Sequence, residues 1–301
     1  MKKMINKSHI EGFLYETTME EKVAGPNAAK PGSKYINGKI SVEVTEDNIV
    51  VIDIYESEIT KKGTKNQKYD TLKTIIAGSS VVANGRENAA RVRIDSALSL
   101  NDWYRPDGEL ISSVRNFNGF THIVTDNKFT PAATFEVDIL ITSVTDDMSK
   151  SEDGTMEPNG ALVVNGIIFD YADKAMPVKF LVENTNGIAY FRDLESNTFT
   201  KVWGNMVTTT TSSSKTEESA FGDAKVVEYT NSRKKFVITG TNKNAYVFGE
   251  DSVLTVKEVQ DGISARNLYL ADLKTKTEAA KKKTDSTPIV GADTAKAEFK
   301  F

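Results

Sequence analysis

The chain has 301 residues, 39% of them hydrophobic and 27% charged, with a formal net charge of −4 at pH 7; this balance fits a globular protein, and two domains are the default expectation at this length. It contains no cysteine and only two histidines, which excludes a disulfide framework and a thiolate metal site and argues against structural zinc. The mild acidity excludes a surface that is basic throughout, so an anionic partner would have to bind at a local patch.

The first 145 residues carry the alternation of apolar and polar residues that is typical of half-buried strands. Residues 39–44 and 48–56 form one such pair around a tight connection, and residues 91–100 lead into a Pro-Asp-Gly turn with a returning strand. We therefore expect a first unit of five or six strands. The remaining strand patterns of this unit lie at 9–16, 105–114, 120–124 and 134–144.

A polar stretch with glycine and proline at residues 145–160 predicts a loop or a domain junction. Strand candidates then begin again, so the predicted fold class is mainly β, with two tandem antiparallel β-barrels. Residues 251–283 have apolar positions at helical spacing, although Gly262 weakens an uninterrupted helix, and the end of the chain predicts a flexible tail. The second-unit strand candidates are 161–171, 176–184, 187–194, 198–211 and 234–240, and the expected boundaries are 8–145, 146–250, 251–283 and 284–301.

The sequence contains none of the catalytic motifs we sought. It lacks a phosphate-binding Gly-x-x-x-x-Gly-Lys-Ser/Thr loop and a Gly-x-Ser-x-Gly motif, and a Ser-His-Asp triad would need His9 or His122, both in strand patterns. The acidic run at 146–153 has Glu152 where an EF-hand loop needs glycine, which favours a solvated junction over a calcium site. We expect no catalytic residue, no metal and no cofactor. A nuclease that uses a carboxylate pair of the second unit stays open as a weaker alternative.

Cations and aromatic rings of the first unit suggest a binding surface. Residues 60–74 hold five lysines against one acid, and we expect a polar loop, which is either simply solvated or able to contact phosphates. Strand parity places further rings and cations on outer faces. Single-stranded nucleic acid needs this mixture, because cations contact its backbone and rings stack on its unpaired bases. The candidates are Tyr15, Lys39, Tyr55, Lys61, Lys62, Lys65, Lys68, Arg91 and Arg93.

The Pro-Asp-Gly turn adds four candidates. Trp103, Tyr104 and Arg105 precede or begin the turn, and Arg115 lies on the returning strand. Exposed rings at this position would form a stacking platform beside phosphate contacts. Trp103 could instead close the bottom of the barrel as part of the core, because large aromatic side chains are mostly buried. Both interpretations stay open from the sequence.

The strand order, the long basic segment and the phrase IDSALSLNDWYRPDGELISSVR leading to NGF resemble the oligonucleotide-binding (OB) barrel of single-stranded DNA-binding proteins, particularly those of tailed bacteriophages. The resemblance covers residues 8–145, and the second unit only by general architecture. It implies tandem OB-like barrels that coat single-stranded DNA during phage replication or recombination, without catalysis. The terminal EFKF resembles the family's partner-docking tail, which makes Phe299 and Phe301 candidates for binding replication proteins, although Lys296 and Lys300 depart from the family's acidic tip.

The main alternative is a β-rich virion or assembly protein that self-associates and does not bind DNA. The acidic balance, the Thr-rich stretch at 207–219 and the high β content are common in such modules. No segment reaches the roughly 20 apolar residues of a bilayer span, and the N-terminus lacks a signal-peptide pattern. We expect a soluble cytoplasmic protein, with oligomerisation left open.

Overall fold

A computed structural model describes residues 4–26, 28–126, 128–151, 153–217, 221, 225–249 and 253–285. Within these residues the chain forms eleven strands and four α-helices. The strands are β1 (Asn6–Thr17), β2 (Glu20–Val23), β3 (Lys34–Thr45), β4 (Asn48–Ser57), β5 (Arg91–Tyr104), β6 (Leu110–Ile123), β7 (Ala132–Lys150), β8 (Met156–Phe169), β9 (Ala175–Val182), β10 (Thr198–Glu217) and β11 (Lys225–Thr241). The helices are α1 (Gln67–Ile76), α2 (Val81–Asn84), α3 (Thr185–Arg192) and α4 (Val256–Asp285), with a 3₁₀ turn at Arg86–Asn88.

The first barrel has the strand order β1-β3-β4-β6-β5 and closes because β5 pairs with β1. Neighbouring strands are antiparallel except β4 and β6, which pair in parallel at Ile52 and Asp53. Helix α1 lies in the connection between β4 and β5, and β2 pairs only with β3. A five-stranded Greek-key barrel of this kind is an OB-fold.

The second barrel repeats this arrangement. Its order is β7-β8-β9-β11-β10, and β10 closes it by pairing with β7. The parallel contact joins β9 and β11 at Leu181 and Val237, and α3 lies between β9 and β10 in the chain. The predicted fold class, mainly β with two tandem OB-like barrels and a C-terminal helical segment, is therefore confirmed. Strand β7 belongs to the second barrel and runs across the boundary expected at residue 145.

Strand β1 joins the two barrels, because it pairs with β5 of its own barrel and with β7 of the second over residues 6–11 and 132–137. A second junction involves Asn48 at the start of β4. Its amide donates to the backbone oxygen of Met206 (3.0 Å) and accepts from the backbone nitrogen of Thr208 (2.9 Å). The two barrels share one continuous hydrophobic core cluster, so they form a single packed body.

The core follows from the period-2 alternation in the sequence. On β3, Ile40 and Val42 are fully buried, while Lys39 on the opposite parity is exposed. The second barrel fills its interior with three rings, those of Phe135, Phe180 and Phe236, whose centroids lie 4.9 to 6.0 Å apart. Aromatic packing of this kind contributes beyond the buried area itself.

Three segments differ from the sequence prediction. Residues 145–160, predicted as a loop or a domain junction, lie mostly in the antiparallel pair of β7 and β8. Residues 60–74, predicted as a loop, include most of α1, because Asn66 caps the helix and Tyr69, Leu72 and Ile75 recur at helical spacing on its buried face. Residues 187–194, predicted as a strand, lie mainly in α3, which begins where the side chain of Asn184 accepts from a backbone N–H. The polar composition of residues 60–74 also fits a loop, and the short apolar run at 187–194 also fits a strand; in each segment a capping side chain begins a helix instead.

Helix α4 continues through Gly262, contrary to the expected weakening. A Cβ at this position would lie 2.9 Å from the backbone oxygen of Asp173 and from the ring of Phe169, so the glycine allows the helix to approach the β8–β9 turn closely. Leu254 and Val259 pack into a small separate core with Phe169. The tail expected at 284–301 falls outside the described residues from position 286 onward.

Candidate nucleic-acid interface

A cleft of about 930 Å³ lies between the two barrels. The first barrel contributes residues of β3, β4, β5 and β6, and the second contributes residues of β7, β8, β9 and β11. The lining therefore includes the second and third strands of each barrel, counted in chain order among its five barrel strands. These are β3 and β4 in the first barrel and β8 and β9 in the second. The outer face of these two strands is the surface with which OB-folds bind oligonucleotides. The fold therefore turns the two binding faces toward a shared space.

Positive charge dominates the side chains of this cleft. Its charged lining residues are Lys39, Asp53, Arg115, Lys179, Arg233 and Lys234. Arg115 donates to the carboxylate of Asp53 at 3.2 Å, which neutralises that pair. Over the part of the chain that the structure describes, the other four cations form no ion pair within 4.0 Å. We call these four, Lys39, Lys179, Arg233 and Lys234, the cleft cations.

The electrostatic environment of Lys234 reflects this crowding of charge. The pKa of Lys234 is lowered, chiefly because the surrounding protein desolvates the ammonium group; Lys39 adds to the lowering, and Asp53 opposes it. The side chain still reaches solvent. An anion bound in the cleft would supply the counter-charge that this group lacks.

Aromatic rings lie on the same outer wall of the first barrel. Tyr35 on β3 and Tyr55 on β4 pair at a centroid distance of 5.3 Å, and the guanidinium of Arg115 lies 4.5 Å from the ring centroid of Phe117. The side-chain oxygen of Asn118 accepts from the backbone nitrogen of Tyr55 at 2.7 Å and so fixes the edge of this wall. We call Tyr35, Tyr55 and Phe117 the ring wall. Flat rings beside unpaired cations suit single-stranded nucleic acid.

Three of the residues predicted from the sequence meet at this cleft and wall, namely Lys39, Tyr55 and Arg115. The lysines of the basic segment lie elsewhere in the first barrel. Lys61 and Lys62 are exposed in the β4–α1 connection, and Lys65 pairs with Asp70 at 2.6 Å. Lys68 lies on α1, 3.7 Å from the carboxylate of Glu56 and 4.1 Å from the ring centroid of Phe120.

The remaining strand candidates face away from the cleft lining. The guanidinium of Arg91 lies 5.0 Å from the ring centroid of Phe129. Arg93 makes two hydrogen bonds to the buried carboxylate of Glu11, at 2.7 and 3.2 Å, which holds the Glu11 side chain in the barrel wall. Tyr15 is half-buried on β1 at an irregularity in its pairing with β3.

The residues of the Pro-Asp-Gly turn lie toward α4. The hydroxyl of Tyr104 contacts the backbone oxygen of Leu270 at 3.4 Å, and Arg105 pairs with Glu109 at 2.6 Å across the turn. Trp103 is exposed and does not fill the barrel interior. The tail candidates Phe299 and Phe301 lie outside the described residues.

Sequence reasoning missed the contribution of the second barrel. Lys179 has the same outward parity on β9 that Lys39 has on β3, and Arg233 and Lys234 form a basic run before the buried Phe236. Parity alone could have marked Lys179 as solvent-facing. Nothing in the sequence, however, indicated that these residues would lie opposite Lys39, because that depends on how the barrels dock.

Other kinds of site are not evident in the described ranges. Among those residues there is no group of three or more His, Cys, Asp or Glu side chains able to hold a metal ion. None of the helices seen there is both long enough and apolar enough to cross a membrane.

The strand order and the shared cleft define a protein of two tandem OB-fold barrels. The family model YorF matches residues 4–276, and the chain belongs to the YorF family. No curated protein matches the sequence.

Two solved structures from Thermus aquaticus are similar to this chain. The wild-type single-stranded DNA binding protein has 9% sequence identity and a TM-score of 0.46, over 80% of this chain and 94% of that one. A deletion mutant of the same protein has 9% identity and a TM-score of 0.47, over 84% of this chain and 100% of that one. The strand order, rather than this distant similarity, defines the two barrels as OB-folds.

Proposed function

We propose that this protein binds single-stranded DNA in the cleft between its two barrels. The observation that carries the proposal is that four cations converge on this cleft, one from the first barrel and three from the second, and that none of them forms an ion pair with a described residue. Such cations release condensed counterions when they contact phosphates, and this release drives nucleic-acid binding. A local basic cleft also reconciles an anionic ligand with the overall charge of −4.

The ring wall favours single-stranded DNA over double-stranded DNA as the ligand. Each base that stacks on an aromatic side chain contributes on the order of 1–3 kcal/mol, and bases are available for such stacking only when they are unpaired. Because every base has a π-face, this mode of binding tolerates any sequence. In this proposal the ring wall stacks on the bases and the cleft cations contact the phosphates.

The biological setting follows from the resemblance of residues 8–145 to phage single-stranded DNA-binding proteins. We infer a non-enzymatic role in coating single-stranded DNA during phage replication or recombination, in the cytoplasm of the host. Phe299 and Phe301 are proposed contacts for replication proteins, by analogy with the tail of that family. Lys61, Lys62, Lys65, Lys68 and the arginines of β5 are proposed as auxiliary contacts outside the cleft, with Tyr15, Trp103, Tyr104 and Arg105.

The proposal is tested by the salt dependence of oligonucleotide binding. Fluorescence anisotropy of labelled oligo-dT is measured over a series of salt concentrations for the wild type and for a Lys179→Gln, Lys234→Gln variant. For single strands the log–log slope of affinity against salt has a magnitude of about 0.7 for each phosphate that the protein neutralises. We expect the variant to bind more weakly and to show a slope smaller in magnitude by about 1.4, since two such cations are removed.

A matched control removes two lysines away from the cleft. Lys128 and Lys243 are exposed and make no ion pair with any residue that the structure describes, so Lys128→Gln, Lys243→Gln should keep the wild-type slope. An equal weakening in both variants would show that only the total charge matters. If the wild type ignores oligo-dT and instead elutes as large homomeric assemblies, the proposal fails and the structural-protein alternative is favoured.

A further inference from the structure

A second cavity, of about 1110 Å³, lies between the barrels outside the cleft described above. In the first barrel it is lined by β1, β5, the end of β6 and Lys68 of α1. The second barrel contributes β7, β10, β11 and the β8–β9 turn. Its lining includes three exposed aromatic side chains, Phe120, Tyr171 and Trp203, beside the buried core ring of Phe135. We call this cavity the aromatic pocket.

The three rings of the aromatic pocket are exposed to an unusual degree. Their exposed fractions are 60% for Phe120, 95% for Tyr171 and 39% for Trp203. Among the described residues none of the three makes a ring–ring contact. Each large ring left in water forgoes the free energy that burial would provide, and exposed apolar surface gathered in one concave place marks a binding site.

The indole of Trp203 packs flat on the neighbouring strand β11, in an orientation suited to stacking. It pairs with Gly240 across β10 and β11, and a Cβ added to Gly240 would lie 2.5 Å from the indole atoms Cε2 and Nε1. The indole therefore lies against the backbone at Gly240, where any other residue would displace it. Since one side of the ring packs on the strand, the other is available to a flat ligand.

The charges around the pocket suit a nucleotide. Lys68 lies 4.1 Å from the ring centroid of Phe120, and Lys7 is exposed in the lining. The two carboxylates of the lining are already engaged: Asp95 bonds to the ring of His9 at 2.7 Å, and Glu136 pairs with Lys201 at 3.0 Å. A ligand phosphate would thus meet cations, while the acids nearby are neutralised or hydrogen-bonded.

Strand β6 runs from the proposed DNA-binding cleft to the aromatic pocket and contributes residues to both. Arg115 and Phe117 on β6 face outward beside the cleft, and after an irregularity at Asn118 and Gly119 the same strand presents Phe120 to the pocket. Five residues of extended strand span about 17 Å. Over this distance the rings of Phe117 and Phe120 lie between the cations of Arg115 and Lys68, and a strand with unpaired bases needs such a combination of rings and cations.

We propose that the aromatic pocket stacks unpaired bases of the same DNA strand that the cleft binds, with Trp203 as the main platform. This inference rests on the proposed function and adds the aromatic pocket as a second base-binding site. The competing explanation is that Trp203 only packs over Gly240 to stabilise the β10–β11 pair, in which case removing its ring would change stability but not affinity.

The two tryptophans of the chain allow a direct test. In Trp103→Phe, Trp203 is the sole tryptophan, so its emission reports on the pocket without any substitution there. Oligo-dT is titrated into this variant while anisotropy of a labelled oligonucleotide reports binding independently. We expect quenching of Trp203 with the same midpoint as the anisotropy change. Binding by anisotropy with unchanged Trp203 emission would overturn the pocket and leave the cleft intact. No binding by either this variant or the wild type would instead overturn the proposed function.

Substitutions distinguish a DNA-stacking role of Trp203 from a purely structural packing role. Trp203→Ala should weaken oligo-dT binding at least about fivefold without changing the salt slope, since it removes a ring and no charge, and Trp203→Phe should restore part of the affinity. Gly240→Ala, which displaces the indole, should reproduce the weakening if Trp203→Ala fails to fold. Tyr190→Ala removes a ring of similar exposure on α3 and should bind as the wild type does. Wild-type affinity in folded Trp203→Ala would refute the proposal.

Discussion

Arg266 on α4 and Asp102 near the end of β5 form a buried ion pair that fastens the helix to the first barrel. The two side chains are 9% and 2% exposed, and the guanidinium makes hydrogen bonds of 2.9 and 3.1 Å to the two carboxylate oxygens. Ser112 also donates to Asp102 at 2.6 Å. Because Ser112 lines the cleft proposed to bind DNA, this pair connects the position of α4 to the candidate site.

Replacing Arg266 with methionine keeps the apolar part of the side chain and removes the charge. Among the described residues, Asp102 is then left as a buried carboxylate with a single hydrogen bond, from Ser112. Breaking a buried pair in this way costs about 3–5 kcal/mol. We expect the free energy of unfolding, measured by urea denaturation at pH 7, to fall by this amount, and amide exchange in α4 to accelerate.

A double-mutant cycle checks the physical cause. Adding Asp102→Asn removes the stranded charge, so the double variant should be more stable than the sum of the single losses predicts, by about 2 kcal/mol. The exposed pair of Arg105 and Glu109 is the matched control, and Arg105→Met should change stability by less than about 1 kcal/mol. A loss below about 1 kcal/mol in Arg266→Met, or simple additivity in the cycle, would refute the reasoning.

Two further predictions concern the junction and the cleft. Asn48→Ala removes both hydrogen bonds that the side chain makes to the β10 backbone and should destabilise the protein by about 1–3 kcal/mol, with faster amide exchange at residues 206–208; unchanged exchange there would contradict the role of Asn48 as a clamp. Since the pKa of Lys234 is lowered, it loses its proton at a lower pH than an ordinary lysine. Oligo-dT affinity of the wild type should therefore fall more between pH 7 and pH 9.5 than that of Lys234→Arg, which keeps its charge; parallel pH profiles would argue against a phosphate contact at this position.

Much of the first barrel could be predicted because its information is local. The period-2 alternation on β3 and β4 specifies both the buried Ile40 and the outward Lys39 and Tyr55, since successive side chains of a strand point to opposite faces. The Pro-Asp-Gly turn likewise requires only neighbouring residues, and Gly108 adopts the positive φ of 89° there. The same local logic places Arg115 on the outer wall.

Local patterns were insufficient at α1, whose polar composition also fits a loop, and at α3, whose short apolar run also fits a strand. In α1 and α3 the decision came from Asn66 and Asn184, whose side chains cap the helices, and from the barrel surface against which each helix packs. A cap is a single-residue signal, so the composition or the hydrophobic pattern of the remaining segment easily outweighs it.

The sequence by itself determined that this protein is mainly β, has two units and carries outward cations and rings along its first strands. Only the tertiary structure decided which of these side chains act together. The pairing of β1 with β7 and the clamp at Asn48 bring Lys179 and Lys234 to face Lys39 and gather Phe120, Tyr171 and Trp203 in one pocket. The physical reason is that alternation along a strand specifies a face, whereas the opposition of two faces depends on strand pairings between residues far apart in the chain.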